Sequence, residues 1–186
     1  FYSEQKTDLE ESISAIEKII EELEVNMKVQ FKEQFTQVNE NFKYVYKRLF
    51  GGGEGELTIL DEDNILESDI QITAKPPGKK MKNLNLLSGG EKALTAISIL
   101  FAIILAKPTP FCILDEIEAP LDDANIFRFG EYLKELSEDT QFIAVTHRRG
   151  TMEAADYIYG VTMEKKAISK VIGLDLHEAH KMTDII

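Results

Sequence analysis

Leu87-Ser88-Gly89-Gly90-Glu91-Lys92-Ala93-Leu94-Thr95-Ala96-Ile97-Ser98-Ile99-Leu100-Phe101-Ala102-Ile103-Ile104-Leu105 is the stretch from which the rest of the chain can be read. Ser88 stands where a helix cap belongs, and Glu91 three residues later completes an S-x-x-E capping box. Gly89 and Gly90 have no side chains, so an anion can come close to the backbone N–H groups. Those N–H groups and the positive end of the helix dipole favour a phosphate there. From Ala93 to Ala106 the pattern is apolar on nearly every face, which predicts a helix buried all round and too short to cross a bilayer. A capping box alone is a common structural device. The next segment is what makes this one more than a cap.

Phe111-Cys112-Ile113-Leu114-Asp115-Glu116 is a short apolar run that follows Pro108 and Pro110 and ends in two acids. The pattern predicts a strand buried on both faces. Carboxylates at the end of such a strand stand where open α/β sheets hold their ligands. Asp115 is suited to a magnesium ion, and Glu116 to orienting or deprotonating an attacking water. The plainer alternative is a strand that leaves the core through an acidic turn. Gln141 to Thr146 predicts the next buried strand, which delivers His147 beside the ends of Asp115 and Glu116. Between the two strands, Leu121-Asp122-Asp123-Ala124-Asn125 opens a helix with Ile126, Phe129, Leu133 and Leu136 on one face.

These residues resemble an ABC-type ATPase head. Leu87 to Glu91 looks like the signature motif, Phe111 to Glu116 like a Walker B strand with its glutamate, Pro120-Leu121-Asp122 like a D-loop, and Thr146-His147 like a switch histidine. The likeness narrows to the structural-maintenance-of-chromosomes (SMC) family in its bacterial form through Leu49-Phe50-Gly51-Gly52-Gly53-Glu54, Pro76-Pro77-Gly78-Lys79-Lys80 and Gly150 to Asp156. Pro120 departs from the family's usual alanine and Asp123 from a common glutamate; a proline stiffens the approach to the D-loop.

The resemblance implies an α/β C-terminal head lobe with a parallel sheet core, added antiparallel strands and a long N-terminal coiled-coil helix. It also implies ATP and Mg2+ as ligands, Glu116 and His147 as catalytic residues, and Asp115 on the metal. Ser88, Gly89, Gly90, Glu91 and Asp122 would act in trans on a nucleotide held by an opposing head. The implied partners are an N-terminal head lobe, a second head, the winged-helix domain of a kleisin docked around Tyr157 to Leu176, and DNA through the full complex. The implied role is chromosome condensation and segregation, in the cytoplasm and at the nucleoid. A related ABC-type head from double-strand-break repair is the alternative, and it would need a Cys-x-x-Cys hook at the arm tip. A third possibility is a chain that serves chiefly as a kleisin-interaction module.

The composition fits this picture. A chain of 186 residues can bury a sizeable core, here as an arm over residues 1–50 and a head lobe over 51–186. Net charge is −12 and the pI near 4.8, so no overall basic footprint points to nucleic acid. The single cysteine, Cys112, reads as a small buried hydrophobe and suits a reducing cytosol. No signal peptide or membrane span is apparent.

Residues 1–50 read as one helix. Leu9, Ile13, Ile16, Ile20, Leu23 and Met27 recur at alternating gaps of four and three, a heptad seam. The gaps then become four and four at Phe31 and Phe35, and aromatic residues take over through Phe42, Tyr46 and Phe50, predicting that residues 31–50 pack on the globular part. Gly51 to Gly53 stop the helix, and no Lys-Ser/Thr follows at phosphate-loop spacing. Glu56 to Asp61 and Asp69 to Lys75 predict antiparallel strands. Lys79, Lys80 and Lys82 read either as a solvated loop or as a small basic contact for DNA or for nucleotide. Arg148 to Ala155 predicts a short helix, and Tyr157 to Met163 and Ala167 to Leu174 two more strands joined at Lys165-Lys166. His177 and His180 do not fit the H-E-x-x-H zinc pattern.

No G-x-x-x-x-G-K-[ST] run occurs anywhere in the sequence. The cradle that holds the β- and γ-phosphates is therefore missing, and this polypeptide alone is expected to bind and cleave ATP poorly. In the resembled family that half of the head lies across the coiled-coil arm.

Overall fold

The computed structural model describes residues 2–165 and 168–175; His177, His180 and Leu176 lie outside them. The chain begins with α1 (Tyr2–Phe50), 49 residues in one helix and so about 75 Å long. Its two halves differ as the residue pattern requires. The seam residues Leu9, Ile13, Ile16, Ile20, Leu23 and Met27 are all exposed, whereas Phe42, Val45, Tyr46, Leu49 and Phe50 are buried. Tyr46 stacks on Phe50 with ring centroids 4.0 Å apart and meets Phe42 edge-on at 5.7 Å.

The glycine run ends α1 as predicted. Gly52 N–H donates to Lys47 O at 2.9 Å, and Gly51, Gly52 and Gly53 all have positive φ. A Cβ on Gly53 would lie 2.3 Å from Lys75 O, so only glycine fits that turn.

β1 (Glu54–Ile59) and β2 (Ile70–Lys75) then pair antiparallel, and β3 (Lys82–Asn83) adds a short third strand that the sequence pattern did not reveal. After a 3₁₀ turn (Leu84–Leu86), α2 (Gly89–Ala106) crosses α1. Asn41 Nδ2 donates to Ala102 O at 3.2 Å, and Asn39 Oδ1 accepts from Leu57 N–H at 2.9 Å, so polar bonds fix the arm's base to both neighbours.

β4 (Phe111–Asp115) lies parallel to β5 (Gln141–Val145), with α3 (Asp123–Leu136) crossing over between them. α3 buries Ile126, Phe129, Leu133 and Leu136, the face its periodicity predicts. Phe101 of α2 stacks on Phe129 at 5.9 Å and meets Phe142 of β5 edge-on, which joins both helices to the sheet. α4 (Arg149–Glu153) follows, and β6 (Tyr157–Lys165) and β7 (Ile168–Asp175) form a separate antiparallel pair.

Three burial expectations need correction. β4 is not covered on both faces: Leu114 is 3% exposed but Ile113 is 61% exposed, and Phe111 is open as well. β5 likewise leaves Ile143 and Val145 exposed. Helices cover one face of this two-stranded sheet, and no described residue covers the other. α2 is not buried all round either, because Ile103 is half-exposed. Counted from Gly89, its 18 residues reach the lower limit of a membrane-spanning length. What argues against a span is packing, since Leu94, Ile97, Phe101, Ala102 and Ile104 sit in the protein core. Cys112 is half-buried, and burial pushes its thiol above the usual range.

Candidate nucleotide site

The parallel register aligns Asp115 with Val145, so the next residues of both strands leave the sheet side by side. Glu116 N–H donates to Val145 O at 2.9 Å, extending the ladder by one bond. Glu116 also has φ of 49°, the left-handed region. A side-chain-bearing residue there is strained by roughly 1–3 kcal/mol, a conformation that persists where surrounding structure imposes it. Its Oε1 stands 3.2 Å from His147 Nδ1, while both side chains keep more than half their surface open, 54% for Glu116 and 65% for His147. The sheet thus brings together Glu116 and His147, the two residues that the family resemblance implies as catalytic.

Asp115 is exposed, and its carboxylate takes part in no hydrogen bond or ion pair among the described residues. The described residues include no cluster of three or more His, Cys, Asp or Glu side chains placed for a metal. A lone free carboxylate does fit Mg2+, which keeps waters and takes phosphate oxygens as its other ligands.

At the start of α2 the capping box is complete. Ser88 Oγ accepts from Glu91 N–H at 3.4 Å, and Ser88 N–H donates to Glu91 Oε2 at 2.9 Å. The first bond is long and uses the hydroxyl only as an acceptor, which leaves its proton available for an anion. Space beside Gly89 is open, and a Cβ on Gly90 would sit 3.4 Å from Pro120 O. The capped turn therefore adjoins the loop leading to Asp122. Asp122 itself caps α3, with Oδ1 accepting from Asn125 N–H at 2.8 Å. No hydrogen bond or ion pair among the described residues links the Ser88–Glu91 turn to the Glu116–His147 pair, so they form two separate clusters.

Lys79 stays exposed, as a solvated loop would have it, and also makes an ion pair that its sequence context did not reveal. Its Nζ lies 2.9 Å from Glu91 Oε1. That bond, together with the Ser88 N–H, lowers the Glu91 carboxyl to a pKa of about 2. A depressed carboxylate pKa contributes stability above the unfolded-state value and loses it as pH falls through the folded one. Because Lys79 is itself 55% exposed, solvent screening reduces the contribution to roughly 1–2 kcal/mol. Glu91→Gln should therefore be less stable than wild type by that amount at pH 7, with the gap closing from about pH 4.5 towards pH 2. Urea unfolding across that range checks it; a gap independent of pH would remove the charge from the explanation.

Sequence reasoning missed Glu118, a carboxyl only 2% exposed. It accepts hydrogen bonds from the hydroxyls of Thr146 and Thr151, the latter at 3.0 Å. An acid two residues beyond Glu116 in an otherwise apolar stretch was the available signal. Arg148 was missed as well; it donates to Leu121 O at 3.2 Å and Asp123 Oδ1 at 2.9 Å, joining the histidine loop to the start of α3.

Two acids and a histidine at the carboxyl end of a parallel strand pair stand where open α/β sheets hold their ligands. The family profile described as RecF/RecN/SMC N terminal domain matches residues 3–170. The chain belongs to this family. It is 54% identical over 178 residues to the chromosome partition protein Smc of Bacillus subtilis and 52% identical over 183 residues to that of Desulfitobacterium hafniense. These alignments take in 96% and 98% of this chain but 15% of each relative, so the chain spans a small part of the curated proteins it matches. Among solved structures, the Smc head domain of Pyrococcus furiosus, with an extended coiled coil and bound to the C-terminal domain of ScpA, superposes with a TM-score of 0.81 at 40% identity. That match covers 92% of this chain and 43% of that one. A chain from work on ATP-driven dimerisation and DNA-stimulated activation of SMC ATPases superposes with a TM-score of 0.74 at 41% identity, over 84% of this chain and 95% of that one.

Proposed function

We propose that this chain is the C-terminal lobe of an SMC ATPase head, with residues 1–50 as its coiled-coil arm and 51–186 as the lobe. The observation that supports this most is the convergence of Glu116 and His147 at the ends of parallel β4 and β5, with the capped glycine turn of α2 beside the same loop at Pro120 but hydrogen-bonded to neither. Two clusters on one lobe suit two different nucleotides, one bound by its own head and one by an opposing head.

In this reading Glu116 accepts a proton from, or orients, the water that attacks the γ-phosphate of ATP, and His147 contacts the same region. Asp115 would hold Mg2+, which supplies charge neutralisation on the phosphate oxygens when bound. Ser88 and the N–H groups of Gly89 and Gly90 close over the γ-phosphate of the opposing head, with Glu91 and Asp122 fixing the two turns that meet there. ATP then favours engaged heads and ADP separated ones, a difference in affinity that biases a two-state equilibrium. The full protein would use this cycle for chromosome condensation and segregation in the cytoplasm, with DNA held by the assembled complex.

A second reading rests on β6 and β7. Tyr157, Tyr159, Val161, Met163, Val171, Ile172 and Leu174 are all exposed on this hairpin, more apolar surface than a lone pair of strands leaves to water. A head bound to the winged-helix domain of ScpA is among the solved relatives. The same docking is proposed here at Tyr157–Leu176, alongside the catalytic role.

Mixing this chain with a lobe that carries Walker A tests the main reading. ATP hydrolysis should be absent from either piece alone and appear on mixing. Turnover by this chain alone would contradict it.

A further inference from the structure

The Glu116–His147 contact poses a physical problem. Both side chains are mostly open to solvent, and both lie on loops that follow strand ends, so rotamer entropy alone should let them separate. Glu116 N–H on Val145 O and Arg148 on Leu121 O and Asp123 tie the flanking backbone, and a buried tie directly beneath the pair would complete the register of the two loops. The buried carboxyl of Glu118 is the group in position to do it.

Glu118 belongs to the tight turn that carries Glu116. Ala119 N–H donates to Glu116 O at 3.1 Å, and Leu121 N–H donates to Glu118 O at 2.9 Å, so the turn is closed on itself. From inside that turn, Glu118 Oε1 accepts from Thr146, the residue just before His147. Thr146 Oγ1 in its turn accepts the backbone N–H of Arg148, the residue just after His147, at 3.0 Å. The backbone on both sides of the histidine is therefore tied through one hydroxyl to one buried carboxyl. The second donor to Glu118, Thr151, lies on α4, and α4 is wedged against α3 where a Cβ on Gly130 would stand 2.8 Å from Gly150 O. Burying a carboxyl is unfavourable unless it is hydrogen-bonded, and here both of its protein donors come from the histidine loop and the helix it enters.

We propose that Glu118 is a positioning residue for hydrolysis, acting through Thr146 to hold His147 against Glu116. The inference rests on the assignment of Glu116 and His147 as the hydrolytic pair. Misplacement of a reacting group by about 1 Å can cost on the order of 100-fold in rate, and a loosened histidine loop allows a displacement of that size.

The test uses the reconstituted ATPase, this chain joined to its Walker A-bearing lobe. Thr146→Val keeps the shape and loses the hydroxyl; Thr146→Ser restores it. Glu118→Ala removes the acceptor, and Glu116→Gln serves as the reference. Thr146→Val and Glu118→Ala should lower kcat by roughly 10- to 100-fold. The KM for ATP and the nucleotide-dependent association of heads should stay within about twofold of wild type, and Thr146→Ser should retain most of the turnover. A wild-type kcat in Thr146→Val overturns the proposal. So does a loss of kcat in which KM for ATP rises and head association weakens as well, since that is general unfolding of the site. Should Glu118→Ala fail to fold, the two Thr146 variants decide the question. Wild-type turnover in Glu116→Gln would overturn the underlying hydrolytic pair, and this inference with it.

Discussion

Glu116→Gln should reduce ATP hydrolysis by the reconstituted head by about 100-fold or more while leaving nucleotide-dependent association of heads in place. The substitution is close to isosteric, and the backbone at position 116 is fixed by its bond to Val145 O rather than by the side chain. The left-handed φ is tolerated by Gln as it is by Glu, so strain does not change. What changes is chemistry. A carboxylate can accept a proton from water or align it with two lone-pair acceptors; an amide presents a single acceptor oxygen and cannot take the proton. Binding of ATP does not need that step, so affinity should hold and the engaged state should accumulate. Phosphate release measures the first expectation, and cross-linking or size-exclusion of the heads measures the second. Hydrolysis within about twofold of wild type would assign Glu116 to the turn alone. Loss of association along with hydrolysis would move its role from the chemical step to nucleotide binding.

The parts of this site that sequence made legible share one property: each is signalled by residues adjacent in the chain. Ser88 and Glu91 sit within one turn, Asp115 and Glu116 are consecutive, and the 3.6-residue repeat of Ile126, Phe129, Leu133 and Leu136 marks a single helix face. His147 is legible from the apolar run before it, which marks a strand end, and its place beside β4 follows once the two strands pair in parallel. What stayed illegible depends on contacts between distant segments. Glu118 and Thr146 are 28 residues apart, and Lys79 and Glu91 are 12 apart across a loop whose lysines alone suggest solvent or an anion. The exposure of Ile113 and Val145 departs from the sequence pattern for a related reason. An apolar strand states that its side chains favour burial, not which polypeptide supplies the cover. Within the proposed reading, the missing lobe accounts for the open face of β4 and β5, just as it accounts for the missing phosphate cradle.

Ser88→Arg should abolish ATP-dependent association of heads while sparing binding of a kleisin winged-helix domain at Tyr157–Leu176. Two effects act in the same direction. Arginine cannot cap the helix as serine does, which costs on the order of 1 kcal/mol and leaves Glu91 N–H without its acceptor. More important, a long side chain at position 88 occupies the approach to the N–H groups of Gly89 and Gly90, where the space beside Gly89 is otherwise open. The added positive charge does not offset this, because Glu91 lies in the same turn and is held ionised well below neutral pH. The guanidinium would share that carboxylate with Lys79, which already lies 2.9 Å from it, before any phosphate arrives. The core beneath, from Leu94 onward, is untouched, so the lobe should fold and β6 and β7 should keep their surface. Ser88→Ala separates the two effects, since it removes the hydroxyl but leaves the path clear; it should weaken association only partly. Association of Ser88→Arg heads at the wild-type nucleotide concentration would mean that the turn at Ser88 caps α2 and does nothing more, and the proposal of a nucleotide shared between two heads would fall with it.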